Sequence, residues 1–192
     1  TWLGPVEEGE AVLAPFRQFE DPIFDMVGPQ PYVVLQQSFD AGMAPKGNRW
    51  YSRYHYMDAL TDEVIDTIVE GIEPFPGEFT TVYLAQESGA PGRVAPDATA
   101  FPHRAGGYSI HVFPGWVDPA ADESIMGWAR GFSDAIAPHA NGGVYVNMLA
   151  EDEADRMPDA YGANYTRLRE VKAKWDPENV LRMNHNVAPS TD

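Results

Sequence analysis

Residues 145–189, YVNMLAEDEADRMPDAYGANYTRLREVKAKWDPENVLRMNHNVAP, decide how the rest of the chain is read. Tyr145, Val146, Asn147 and Met148 follow Gly142 and Gly143 and alternate aromatic, apolar, polar, apolar, the pattern of a short strand leaving a tight turn. Residues 164–175 predict a helix, because Tyr165, Leu168, Val171 and Trp175 recur at steps that share one face at 3.6 residues per turn. Lys172 and Lys174 stand near its C-terminal end, where the helix dipole favours cations. Asp176-Pro177-Glu178-Asn179 stops it, since proline cannot continue the hydrogen-bond ladder. The tail from Asn184 to Pro189 reads as extended and rich in amide side chains.

Working backwards, residues 108–113 form an expected strand that puts Ser109, His111 and Phe113 on one face. Asp118 and Pro119 supply an N-cap and a first-turn proline for a helix that turns Ile125, Trp128, Ala129, Phe132 and Ile136 inward and stops at Pro138. Residues 79–85 predict a strand, followed by a Gly/Pro/Ala loop over 88–100. Thr61 caps a helix whose buried stripe is Val64, Ile65, Ile68, Val69 and Ile72, ending near Glu73 and Pro74. The aromatic run 48–57 predicts a strand with Trp50, Ser52, Tyr54 and Tyr56 on one face and Tyr51, Arg53, His55 and Met57 on the other. One face is expected in the core, and the other is either wet or a wall toward a ligand. Residues 6–19 predict a helix kinked or restarted at Pro15, with Val12, Leu13, Phe16 and Phe19 on one side, and a helical turn is expected within 32–39. The fold class is therefore α+β: a largely antiparallel sheet covered by helices, with a C-terminal helix and an extended tail.

Composition removes several function classes. The 192 residues contain no cysteine, which excludes a disulfide framework, a zinc-thiolate site and a cysteine nucleophile within the chain. A net charge of −16 argues against nucleic acid as a partner, because phosphate neutralisation needs Lys and Arg. Lysine is scarce among the 13 cations, as expected of a salt-adapted host or of an ordinary acidic protein with an arginine bias. No apolar run approaches the ~20 residues of a membrane helix, and no leader is visible, which favours a cytoplasmic over a secreted chain. His55, His139 and His185 lack ligand spacing, so no metal site is expected. There is no GxGxxG and no Walker loop.

The order Y-x-N, Y-G-x-N-Y-x-R-L-x-x-x-K, D-P-E-N-V and N-x-N-V-x-P within 145–189 resembles the C-terminal segment of the berberine bridge enzyme-like FAD-linked oxidases. Phe101-Pro102-His103-Arg104, the strand after it and Trp116 resemble that family's substrate domain. The resemblance divides the chain into a substrate-binding domain over 1–141, shortened at its N-terminal side, and a C-terminal family segment over 142–192. It implies FAD, held mainly by an FAD-binding domain of the same polypeptide, and a small organic substrate. It also implies oxidation of an alcohol or amine with electrons passed to oxygen. The chain alone is expected neither to retain FAD tightly nor to turn over, and to expose apolar surface that favours a homodimer.

By the same resemblance, Met148 stands where many members carry the tyrosine base, and a thioether cannot abstract a proton. Either Tyr145, His111 or a tyrosine of the 50–57 strand takes that role, or this member does different chemistry. Asn147 would sit near the flavin, and Asn184 and Asn186 would lie in a tail that helps hold it. Ser109, His111 and Tyr54 are the expected substrate-facing residues, and Ser109 stands where some plant members carry a functional carboxylate. The residues themselves leave alternatives open: His111 as a core or wet-face histidine, Asn147 as an amide satisfying a loop. For His103 and Arg104 a structural role is expected, with Arg104 on a carboxylate or on loop carbonyls. A noncatalytic, dimerising α+β module that binds a small apolar molecule is the second functional reading.

Overall fold

The computed structural model describes residues 1–38, 40 and 47–190. Two compact units divide the chain, Thr1–Lys46 and Gly47–Asp192. In the first, helix α1 (Val6–Arg17) begins with Glu7 and Glu8 at its positive end and passes through Pro15 without restarting. Pro15, tenth in the helix, removes one rung of the ladder, the bond its N–H would have given the carbonyl four residues back. Arg17 then ties the helix to the following loop through ion pairs with Glu10 and Asp25 and a hydrogen bond to the Val27 carbonyl. Phe16 and Phe19, expected on one side of this helix, are 79% and 86% exposed, and Phe19 lies beyond its end. The helical turn expected within 32–39 is α2 (Tyr32–Gln37), and Phe39 lies outside the described residues.

The second unit is built on a three-stranded antiparallel sheet of order β2-β4-β3, where β2 is Arg53–Met57, β3 is Thr81–Glu87 and β4 is Gly107–Phe113. A two-stranded ribbon, β1 (Arg49–Trp50) with β5 (Gly115–Trp116), flanks it. The single strand expected over 48–57 is thus broken at Tyr51 and Ser52, because β1 pairs with β5 while β2 pairs with β4. The chain crosses there from ribbon to sheet, and the Tyr51 N–H donates to the Pro114 carbonyl. The expected 79–85 strand is present two residues later.

Helices α3 (Asp62–Gly71) and α4 (Asp122–Ile136) cover one face of the sheet. The Thr61 hydroxyl accepts from the Val64 N–H and caps α3 as expected; Asp118 caps a 3-10 turn that leads into α4. Met57, Ile110 and Val112 from the sheet meet Val64, Ile125, Ala129, Phe132 and Ile136 from the helices in one core. Each residue buried there contributes on the order of 2 kcal/mol of transfer free energy.

A second core lies on the opposite face. Tyr54 and Tyr56 pack with Val144, Leu149, Met157 and Ala160, so the C-terminal quarter covers the β2 side of the face that alternation left open between water and ligand, while Tyr83 on β3 stays half exposed. Residues 145–148, expected as a strand, are instead an extended Tyr145 followed by a 3-10 turn, Val146–Met148. Their N–H groups close on themselves, Met148 onto the Tyr145 carbonyl, and among the described residues no neighbouring strand pairs with them. Helix α5 (Met157–Tyr161) and helix α6 (Tyr165–Trp175) follow. Asp176 ends α6 by accepting from the N–H groups of Val180 and Leu181 and from Lys172. Of the expected stripe, Val171 and Trp175 are exposed.

Candidate functional site

Strand register composes the site. Tyr54 pairs with His111 and His111 with Tyr83, so three rings cross the sheet in one row. The next row is Tyr56, Ser109 and Ala85. His111 is 9% exposed, with ring centroids 4.9 Å from Phe113, 5.8 Å from Tyr54 and 6.1 Å from Tyr83. Burial pulls its imidazole down to about 4, which keeps it uncharged at neutral pH. Burial likewise raises the phenols of Tyr54 and Tyr56.

His111 Nε2 lies 3.0 Å from Ser52 Oγ, and the same hydroxyl donates to the Met148 carbonyl at 2.6 Å. Ser52 therefore joins the histidine to the backbone of Met148. Ser109 is nearly fully buried and donates to Glu87 Oε1 at 2.6 Å, while the Tyr54 hydroxyl reaches the same oxygen at 3.4 Å. A carboxylate thus faces this wall from β3 even though position 109 has none. Ser52 and Glu87 were missed by sequence reasoning. Ser52 was legible as a neighbour of Tyr54 by alternation, whereas nothing local marks Glu87.

Tyr145 is half-buried beside the rings of Tyr54 and Phe101, 6.3 and 6.0 Å away, and its hydroxyl oxygen accepts from Asn147 Nδ2 at 2.8 Å. Asn147 itself opens onto a cleft of about 810 Å³ lined also by Val146, Leu149, Tyr161, Met183, Asn184 and His185. Asn184 holds a left-handed backbone, φ 57°, and His185 Nε2 donates to the Leu149 carbonyl at 3.0 Å, which pins the tail against the 146–149 turn. The Asn186 side-chain oxygen is buried and has no hydrogen-bond partner among the described residues. Asn184 lies 37 residues beyond Asn147 in sequence, yet one cleft joins them.

Beneath the site an ion cluster fixes the 151–156 turn. Arg53 is bound to Asp152 and Glu153, Arg130 to Asp152, and Arg156 to Glu153. The Tyr51 hydroxyl donates to Asp152 at 2.6 Å, and burial raises that phenol to about 12. His103 stacks on Tyr56 at 4.7 Å and donates through Nε2 to the Ala160 carbonyl. Arg104 donates to the carbonyls of Phe101 and Pro91 and to Thr99 Oγ1, the loop-holding role expected of it.

A family model described as "Berberine and berberine like" matches residues 144–188. An uncharacterized FAD-linked oxidoreductase of Bacillus subtilis is 28% identical over 98% of this chain and 42% of its own length. Berberine bridge enzyme-like 17 of Arabidopsis thaliana is 31% identical over 54% of this chain and 23% of its own. The chain is thus similar to berberine bridge enzyme-like proteins. Its fold is also that of the crystal structure of aclacinomycin oxidoreductase, with a TM-score of 0.76 at 23% identity over 97% of this chain and 43% of the other.

The chain spans about two fifths of the length of the Bacillus relative, so most of a berberine bridge enzyme-like protein lies outside the matched region. FAD is the cofactor for which the relatives are named, and the residues present fit it. The cleft pairs apolar walls, Val146, Leu149 and Met183, with the amides of Asn147 and Asn184, as a ring system with amide edges requires. The unpartnered Asn186 oxygen is a buried acceptor next to that wall, and such an atom calls for a donor.

Proposed function

We propose that this chain carries the substrate wall and C-terminal cleft of an FAD-dependent oxidoreductase that oxidises an alcohol or amine of a small organic substrate and passes the electrons to oxygen. The FAD-binding domain belongs to the remainder of the same polypeptide. The observation that carries this reading is the Ser52 bridge, which brings the neutral imidazole of His111 to the backbone of Met148.

Bound FAD would supply the two-electron acceptor for oxidation of the carbinol or amine carbon, with oxygen as the final acceptor, while a group of this chain takes the O–H or N–H proton. His111 is that group, because an uncharged imidazole can accept a proton at neutral pH and Met148 cannot. Tyr54 and Tyr83 hold a planar substrate beside it, with Ser109 and Glu87 at the polar end of the wall. The Asn147 amide holds the Tyr145 phenol by donating to its oxygen, and Tyr145, beside Tyr54, is the second proton-handling group. Asn147 and Asn184 line the cleft assigned to the cofactor, and Asn186, two residues beyond Asn184, offers a buried acceptor without a partner among the described residues.

The test is anaerobic bleaching of flavin absorbance in the protein expressed from its complete reading frame, against a panel of primary and secondary alcohols and amines. His111→Gln is expected to slow bleaching by roughly 100-fold or more, and Tyr145→Phe by less. A colourless protein that stays colourless with added FAD would overturn the reading in favour of a noncatalytic module. Wild-type bleaching rates in both variants would remove these residues from the chemistry.

A further inference from the structure

We infer that Ser52 is a positioning residue: by giving its only proton to the Met148 carbonyl it holds His111 in the Nε2–H tautomer, and so leaves Nδ1 as the single lone pair this imidazole offers on the aromatic wall. The inference rests on the reading of His111 as the proton acceptor.

The argument is a count of protons. A serine hydroxyl has one hydrogen and two lone pairs, and a carbonyl oxygen can only accept. The Ser52 contact to Met148 is 2.6 Å and that to His111 Nε2 is 3.0 Å. The hydrogen therefore lies toward Met148, and the contact to His111 is made by an N–H of the ring donating to a serine lone pair. A neutral imidazole carries its hydrogen on one nitrogen only, so Nδ1 is bare. Among the described residues Nδ1 has no hydrogen-bond partner, and the residue keeps 9% of its surface exposed.

The serine is itself held. It sits in the two-residue break between β1 and β2, where Tyr51 donates to Asp152 on one side and Arg53 grips Asp152 on the other. Arg53 also donates to the Ser52 carbonyl at 3.0 Å. The rings of Phe113, Tyr54 and Tyr83 restrict the imidazole plane, so exchange of tautomers could not be answered by a ring flip without losing that packing. Ser52 thus decides which of the two nitrogens is basic.

The experiment uses the complete protein labelled with ¹⁵N-histidine, and reads the His111 ring by long-range ¹H–¹⁵N correlation at pH 7, assigned by its disappearance in His111→Gln. The wild type is expected to show a protonated Nε2 and an unprotonated Nδ1. Ser52→Ala is expected to give a mixture of tautomers, and Ser52→Thr to restore the single form. With the alcohol or amine that bleaches flavin fastest, Ser52→Ala should lower kcat roughly tenfold or more with KM within twofold, and Ser52→Thr should recover it. An Nδ1–H tautomer in the wild type, or an unchanged one in Ser52→Ala, overturns the inference. A tautomer mixture without loss of kcat leaves the lock standing and overturns His111 as the proton acceptor.

Discussion

The guanidinium of Arg53 grips the carboxylate of Asp152 with two parallel hydrogen bonds, 3.1 and 2.8 Å long, across 99 residues of sequence. Planar, bidentate geometry suits arginine and not lysine. The pair ties the strand beneath the aromatic wall to the turn behind Met148, so the shape of the site depends on it. Arg53 also reaches Glu153, whose side chain is as buried as its own.

Arg53→Ala is expected to destabilise the protein by about 3 kcal/mol, roughly 6–12 °C in Tm, because Glu153 would remain buried with one partner fewer. Asp152→Ala should cost less, about 1–2 kcal/mol, since that carboxylate is half in water. Arg130→Ala should cost under about 1 kcal/mol for the same reason. Urea denaturation of the three variants checks the order, and equal losses would show that the cluster does not act through burial.

Stability should fall as pH drops from about 6.5 towards 4. Burial holds His111 at about 4, and burial with the charges of Arg156 and Arg53 does the same to His55. The unfolded chain takes up these protons near 6.5 and the native state refuses them, so the contribution is complete above 6.5 and is lost on the way down. The slope is up to about 1.4 kcal/mol per pH unit for each histidine. Asp152, held low by Arg53, acts in a separate window, losing its contribution as pH falls below its ordinary value of 3.8. A urea midpoint constant from pH 7 to 4.5 would contradict the histidine part, and His111→Gln should flatten the curve.

Gly107 opens β4 with φ 100°, and a Cβ there would stand 2.4 Å from the Met57 carbonyl oxygen. Backbone cannot yield as a flexible side chain can, so Gly107→Ala should cost on the order of 2 kcal/mol or more. Gly127→Ala, in the middle of α4 with open space around it, should be neutral or slightly stabilising by thermal melting.

In the complete protein, Asn184→Ala and Asn186→Ala should each weaken FAD retention roughly five- to tenfold, the loss of about one hydrogen bond. Equilibrium dialysis with FAD measures it. Asn186→Ala should at the same time leave the melting temperature of the flavin-free protein unchanged or raised, because it removes a buried acceptor that has no partner. A lowered melting temperature would show that the oxygen is satisfied without cofactor.

The sequence by itself determined what depends on near neighbours. Thr61 before Asp62 and Glu63 set a helix start, the 125–136 stripe set a buried helix face, and alternation put Ser52, Tyr54 and Tyr56 on one side of a strand. The motifs of 145–189 carried the family. Those signals survive because they rest on separations of two to four residues, which the local geometry of helix and strand fixes. Tertiary structure alone decided the rest. The 145–148 run has a strand's alternation but no partner edge, so it became a turn held by Ser52. The Ser52–His111 contact, the Glu87 carboxylate under Ser109 and the Arg53–Asp152 grip span 59, 22 and 99 residues. Strand register and the folding back of the C-terminal quarter bring such groups together, and no periodicity in the chain records those distances.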